Sequence, residues 1–420
     1  MSERQRSSHQ HSARATSTPG MMDPALMAEP YTGFGALREE APVLLGESTP
    51  GTPTWFVTRF AEVHTVLTDP RFVNDPASVP GGTSRGMKDL LVEQFGVAPE
   101  LAPYLTENIL SSDGADHTRL RKLVSRAFTV GRVAQLRPRV ETITAGLLDA
   151  LTDSAELIEQ FAYPLPIQVI CELVGVPEED RAAWRHWSSA FTTMNPAAIG
   201  PAVKEMVDHV RDLLVRRAAA PGDDLLSGLL AVRAEDGDRL TEAELITLVI
   251  TLVTAGHETT AHLIGNGTLA LLTHPDQLTL LRERPELWPG AVHELMRWCG
   301  PVVMTGTRYA VEDLELGGAA IARGDALTAV LVSANRDPRE YHDPDRLDVT
   351  RRPAHRGEGH VGFGQGAHYC LGAALARQEG EVALRALIER FPGLVLADAE
   401  PDWMPRPGMR RLATLRVRTG

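Results

Sequence analysis

Cysteine is scarce in this chain. Three occur in 420 residues, Cys171, Cys299 and Cys370, scattered and odd in number. Such a set makes no disulfide framework and favours a reducing, cytoplasmic setting. No uninterrupted apolar run reaches the roughly 18 residues of a membrane-spanning helix. Positive charge is in deficit, with 42 lysines and arginines against 55 acids, a net −13. That balance argues against nucleic acid or an anionic membrane as the main partner. There is no Gly-rich dinucleotide fingerprint and no flavin module. The start, Met1 to Gly20, is polar and lacks the apolar block of a signal peptide. Residues 1–28 are expected to be a disordered leader, followed by one domain over 29–420.

What is present is mostly helical pattern with a smaller strand-rich part. Trp55 to Thr58, Arg308–Ala310 and Leu327–Val332 have strand character, and Leu415 to Arg418 alternates like an edge strand. The strongest helix signal begins at Thr241, with Glu244 three residues on as a capping box. Its apolar residues recur to about Leu272, before His274-Pro275. A helix of that length crosses a whole domain and must be largely buried. A second helix surrounds Val292 to Trp298. The stretch from Asp337 to Gly366 is rich in Pro and Gly and irregular. A loop that long inside a compact domain usually has a job.

The run Gly362 to Gly372 reads G-F-G-Q-G-A-H-Y-C-L-G, a glycine-rich loop closing on Cys370 with a helix after it. A helix start carries unpaired amides and partial positive charge, which favour a thiolate. A lone thiolate does not suit structural zinc, which wants four ligands. It suits an axial ligand to haem iron, and equally a nucleophilic or merely buried cysteine.

Three further patterns accompany it. Ala255-Gly256-His257-Glu258-Thr259-Thr260 sits midway along the long helix. Gly256 gives room against the helix, Thr259 can bond a carbonyl one turn back, and Glu258 can relay protons. A kinked core helix with a satisfied Glu would look the same. Glu294 and Arg297 share a helical face at i,i+3, usually a surface pair of small worth. Cations His117, Arg121, Arg308 and His368 lie near apolar sequence and would suit the two carboxylates of a haem, though each alone could be a surface residue.

Together these patterns resemble the cytochrome P-450 superfamily. Phe363, Gly366, Cys370 and Gly372 match its F-x-x-G-x-x-x-C-x-G signature. Glu294 and Arg297 match its E-x-x-R pair, Ala255 to Thr260 its oxygen-binding segment, and His117 and Arg121 its H-x-x-x-R. Asn335 to Pro338 and Pro344 to Leu347 match stretches before the loop, so order and spacing agree over roughly residues 30 to 420. The chain is most similar to soluble actinobacterial members that tailor secondary metabolites. Two departures stand out. Gly114-Ala115 replaces prolines before His117, and Arg410-Arg411 stands where related chains often have Arg-Gly.

The resemblance implies a mainly α, triangular prism with haem b held between the long helix and the cysteine helix. It implies a monooxygenase using O2, with a hydroxylated or epoxidised natural product. Oxidative coupling, a peroxide-driven branch, a non-catalytic haem sensor and a haem-free cysteine or metal enzyme are the alternatives. The acid–alcohol pair Glu258 and Thr259 speaks against the peroxide branch and the sensor. Cys370 would be the iron's thiolate ligand, flanked by Phe363, Gly364 and Gly372, with Ala255 against the haem. His117, Arg121, Arg308 and His368 would hold propionates. Glu258 and Thr259 would deliver protons, and Glu294, Arg297 and Arg346 would brace the loop. Phe191, Met194, Leu252, Val302, Val303, Met304 and Met409, with Ala255, would wall an apolar substrate pocket. Electrons would come from NAD(P)H through a ferredoxin reductase and a ferredoxin, which would dock on Lys122, Arg126, Arg132 and Arg377. The enzyme would be a cytoplasmic monomer acting on a small molecule.

Overall fold

The long helix organises the molecule. In the computed structural model, which describes residues 20, 23–82, 91–93, 95–193, 195–232, 238–352, 357–404 and 408–420 and leaves out the side chains of 191–193, it runs Glu242–Thr273. Its expected capping box is formed. Glu244 N donates to Thr241 Oγ1 at 3.2 Å, and Thr241 N donates to Glu244 Oε2 at 2.8 Å. Two of the four orphan amides of the first turn are thereby satisfied. Most of its side chains are buried on all sides, as expected of a helix that carries the core rather than coating it.

Helices Arg137–Asp149, Pro164–Val174, Trp288–Cys299 and Ala373–Arg390 surround it in one large apolar cluster. Small residues set the close crossings. A Cβ at Gly380 would lie 3.3 Å from Leu263, and one at Gly267 would lie 3.1 Å from Leu384. The long helix and the cysteine helix therefore meet over their later turns.

Beside this helical body stands a five-stranded sheet, in the order Val43–Thr49, Thr52–Val57, Ala326–Ala329, Arg308–Ala310, Phe72–Val73. The run expected as strand to Val332 stops at Ala329, and Leu331–Ala334 is a helical turn. Val330 N still donates to Val57 O at 2.8 Å, so apolar β-branched composition alone did not mark the break. The C-terminal strand, Arg416–Arg418, is central and not an edge. It lies between Ser154–Glu156 and Val395–Leu396, with Val417 fully buried.

Structure also begins inside the stretch read as leader. Asp23 Oδ1 accepts from Ala25 N and caps a short helix, Pro24–Ala28, whose Leu26 packs with Phe34 and Phe56. Residues 23–28, expected in the leader, are therefore part of the folded domain. This helix is fastened from the other end of the chain. Arg410 Nη1 donates to Ala28 O at 2.6 Å while its guanidinium stacks 3.6 Å from the Trp403 ring centre.

Candidate active site

The cysteine loop is irregular by construction. Between Asp337 and Gly366 the described residues form no helix or strand, and a 3-10 turn, Gly366–His368, leads into Cys370. Gly364 and Gly366 have φ of 69° and 71°, the left-handed region that favours glycine. At Gly366 a Cβ would also fall 2.6 Å from Leu67 O. Cys370 N donates to Phe363 O at 2.9 Å, which folds the loop back on itself. The helix proper starts at Ala373, with Gly372 as its cap, so Cys370 stands just outside the first turn. Burial pushes its thiol up, and the Gly372 N–H with Arg121 and Arg377 pulls it down by less. The expected thiolate therefore does not arise from the helix start alone. A bound metal would supply the remaining pull, since metal coordination deprotonates a thiol outright.

Around this loop the structure gathers the four expected cations. Arg121 Nη2 donates to Tyr369 O at 2.6 Å, one residue before the cysteine. The rings of His117 and His368 lie 4.0 Å apart. His368 Nε2 is 2.7 Å from Asn74 Nδ2 and 3.8 Å from Asp113 Oδ1. His117 is buried, and its Nε2 has no hydrogen-bond partner among the described residues. Burial, aided by His368, Arg121 and Arg308, pushes His117 down to about 4. Arg308 is buried too, and burial lowers its pKa against the opposing charge of Asp113. A buried guanidinium and a buried imidazole nitrogen with no partner are costly unless an acceptor joins them. The donor set and its orphaned nitrogen fit a group carrying two carboxylates, and Cys370 beside it fits a thiolate ligand to that group's metal.

The long helix shows one open face. Ala255 is exposed although it lies at mid-helix, and Leu252 and Thr259 keep partial exposure on the same side. Thr259 Oγ1 donates to Ala255 O at 2.8 Å, the anticipated bond to the preceding turn. Gly256 has a different job from the one expected. A Cβ there would sit 3.4 Å from Ile170, so its space belongs to the helix Pro164–Val174. Glu258 turns away from the open face. Its Oε1 accepts from Arg411 Nη1 at 2.6 Å and from Tyr163 OH at 3.4 Å, with His262 Nε2 at 3.8 Å. Burial and the Glu258 charge push the Tyr163 phenol well up, so it stays a neutral donor. His257 Nδ1 meets Val253 O at 2.7 Å inside the core.

Glu294 and Arg297 form a bidentate pair, 2.7 and 2.8 Å, with both side chains 2 % exposed. This is a buried brace and not a surface pair. Arg297 Nη1 donates to Asn335 O and Pro344 O. Arg346 takes part only through its carbonyl, which accepts from Arg297 Nη2 at 3.1 Å, while its own side chain is exposed. The second guanidinium on Glu294 is Arg351, at 3.2 Å. The expected Arg346 role thus passes to Arg351.

Several expected pocket walls separate here. Leu252, Val302 and Met409 keep accessible surface, and Val302 pairs with Met409 as a β-bridge. Val303 and Met304 are 5 % and 6 % exposed in a cluster with Leu26, Phe34 and Phe56, which leaves them little face for a ligand. Met194 and the side chain of Phe191 lie outside what the structure describes. A cavity of about 440 Å³ opens elsewhere, behind the cysteine loop, lined by His64, His293, Glu294, Arg297, Glu358 and His360 among others. Its charged walls do not suit an apolar substrate.

Of the four cations expected to dock a redox partner, Lys122 and Arg126 are exposed. Arg132 pairs with Asp223 at 3.1 Å. Arg377 turns inward to Glu358 and the Tyr369 hydroxyl, with its guanidinium 5.8 Å from the Phe363 ring centre. Burial pushes the Glu358 carboxyl up, but hydrogen bonds from His293 and Tyr369 and the charge of Arg377 prevail and hold it at about 2. Glu358, Tyr369 and Arg351 were given no role from the sequence, and Arg411 was noted only as a departure in the doubled arginine at 410 and 411.

Comparisons agree with this geometry. The family model described as Cytochrome P450 matches residues 197–286 and 280–414. The chain is 44% identical over 390 residues to 6-deoxyerythronolide B hydroxylase of Saccharopolyspora erythraea, covering 91% of this chain and 93% of the relative. It is 42% identical over 416 residues to the cytochrome P450 monooxygenase PikC of Streptomyces venezuelae, covering 96% and 95%. The solved structure of PksS, a Bacillus subtilis cytochrome P450 of bacillaene polyketide synthesis, superposes with a TM-score of 0.86 at 36% identity, covering 95% of this chain and 99% of that one. Among the described residues no helix is long and apolar enough to cross a membrane. With the cysteine loop, the buried Glu294–Arg297 brace and these likenesses in place, the chain belongs to the cytochrome P450 family and is a P450 monooxygenase similar to actinobacterial enzymes that tailor natural products.

Proposed function

We propose that this monooxygenase oxygenates a mid-sized, mostly apolar polyketide product, macrolactone-like in size, with electrons from a ferredoxin. The observation that supports the reading is the orphaned His117 nitrogen beside His368, two residues before Cys370, together with the exposed Ala255 and partly exposed Thr259 on the long helix. The substrate class comes from the relatives, one of which is named for hydroxylating 6-deoxyerythronolide B. The haem, when bound, supplies oxygen activation at its iron, and a thiolate ligand favours O–O cleavage.

The chain's own residues do the rest. Cys370 Sγ, which takes a hydrogen bond from Gly372 N–H, would hold the iron. His117, Arg121, Arg308 and His368 would hold the propionates. Leu252, Ala255, Val302 and Met409 present apolar surface and exclude water. Thr259 Oγ1, its proton directed to Ala255 O, keeps lone pairs free to accept a bond on the open face. Glu258 supplies protons beside it. Ferric holoenzyme titrated with 6-deoxyerythronolide B and related macrolactones should show a low-to-high-spin absorbance shift, and a panel of such ligands without any shift would overturn the substrate class. With an accepted ligand, Thr259→Ala should consume reductant at a near-normal rate but release most of it as peroxide; unchanged coupling would remove Thr259 from the proton path.

The ferredoxin reading rests on the exposed Lys122 and Arg126 beside the cysteine face. Reversing both charges should slow ferredoxin-driven reduction by roughly tenfold at low ionic strength, converging with the parent at high salt. Equal rates at low salt would place the docking surface elsewhere.

A further inference from the structure

Arg411 reaches Glu258 from the far end of the chain. It opens the strand Arg411–Thr414, and its side chain is 3 % exposed. The strand is pinned to the flank of the long helix that carries Glu258. Asn266 Nδ2 donates to Arg410 O at 3.0 Å, and a Cβ on Gly265 would lie 3.8 Å from Leu412. Arg411 is thus held at the root, and its guanidinium closes on Glu258 Oε1 at 2.6 Å. Successive helical residues point about 100° apart, so Thr259 looks onto the open face while Glu258 looks onto this flank. At the same carboxylate oxygen ends the half-buried Tyr163 hydroxyl, which also lies 3.1 Å from His262 Nε2.

We propose that Arg411 is a positioning residue for proton delivery. Its guanidinium fixes the Glu258 carboxylate against the Tyr163 hydroxyl, one residue before Thr259 on the long helix. The Glu258 carboxylate first takes up the proton that the Tyr163 hydroxyl donates, Tyr163 regains one from solvent, and Glu258 then releases its proton toward Thr259. The net transfer is one proton from solvent to the Thr259 face. This inference rests on the Glu258 and Thr259 roles proposed above.

The test uses dithionite-reduced holoenzyme, freed of excess reductant and mixed with air-saturated buffer. The return of the ferric spectrum is timed in H2O and in D2O, and thermal midpoints are recorded in parallel. Arg411→Met should slow the return by roughly tenfold and flatten its solvent isotope effect, the size expected of a directly coupled pair. Arg411→Lys should recover most of the rate. The double variant Arg411→Met with Glu258→Gln should be no slower than Glu258→Gln alone, and its midpoint should lie above that of Arg411→Met, because it leaves no buried charge unpaired. The double variant and Arg411→Lys keep the comparison readable if Arg411→Met folds poorly. Parent-like rates in Arg411→Met, or in the double variant a further slowing beyond Glu258→Gln, would overturn the positioning role while sparing Glu258. Parent-like rates in Glu258→Gln itself would overturn the proton-delivery reading and this inference with it.

Discussion

Glu294→Ala is expected to leave little haem-loaded protein. The Glu294 carboxylate receives Arg297 at 2.7 and 2.8 Å, Arg351 at 3.2 Å and the Asp348 amide at 3.0 Å. Its removal strands one guanidinium at 2 % side-chain exposure and a second at 18 %. Breaking one partner of a buried pair costs roughly 3–5 kcal/mol, a large share of the roughly 5–15 kcal/mol that holds a domain together. The damage is directed, because Arg297 also ties down the carbonyls of Asn335, Pro344 and Arg346. Asn335 Oδ1 in turn accepts from Val361 N at 2.8 Å, two residues before Phe363. The loss therefore propagates along hydrogen bonds to the loop that carries Cys370. The ratio of haem absorbance to protein absorbance after purification reports it. Glu294→Gln, which keeps the shape and one acceptor, should fall between. A normal ratio in the alanine variant would show that the brace is dispensable for cofactor retention.

Cys370→Ser should abolish the strongly red-shifted absorption of the reduced, carbon-monoxide-treated enzyme, and oxygenation with it. No other sulfur can substitute. Cys171 lies in the core of the helix Pro164–Val174, Cys299 is buried at the end of another helix, and burial pushes both thiols up to about 12. Haem is nonetheless expected to bind in part, since His117, Arg121, Arg308 and His368 are untouched. Haem content and the carbon-monoxide spectrum therefore separate two roles that a simple activity loss would merge. A variant that kept the red shift would place some other thiolate on the iron.

Much of the site was legible because its signals are local. The capping box at Thr241 and Glu244, the i,i+3 pair Glu294–Arg297 and the Gly-rich run before Cys370 each lie within a dozen residues. Their geometry follows from helix periodicity and glycine's backbone freedom. What stayed hidden is pairing across distance. Arg351 is 57 positions from Glu294, and Arg411 is 153 from Glu258. A local pattern does not name such a partner, and the resemblance of Pro344 to Leu347 directed the brace to Arg346 instead. Arg377 misled for the opposite reason. A cation beside the cysteine helix suggested a docking surface, yet a carboxylate from the irregular loop, Glu358, drew it inside. The alternation at the C-terminus was right about faces and wrong about neighbours. It put Val417 inward between two arginines, but period two cannot say whether a strand has one partner or two.

The stitch between Arg410, Ala28 and Trp403 has a consequence for how the molecule opens. It joins the helix Pro24–Ala28 to the C-terminal strands, and a backbone carbonyl is one of its fixings. Fraying at either terminus should not be independent. Amide exchange in Pro24–Ala28 and in Arg411–Thr414 is expected to share one opening event, so protection lost at one end by Arg410→Ala should be lost at the other.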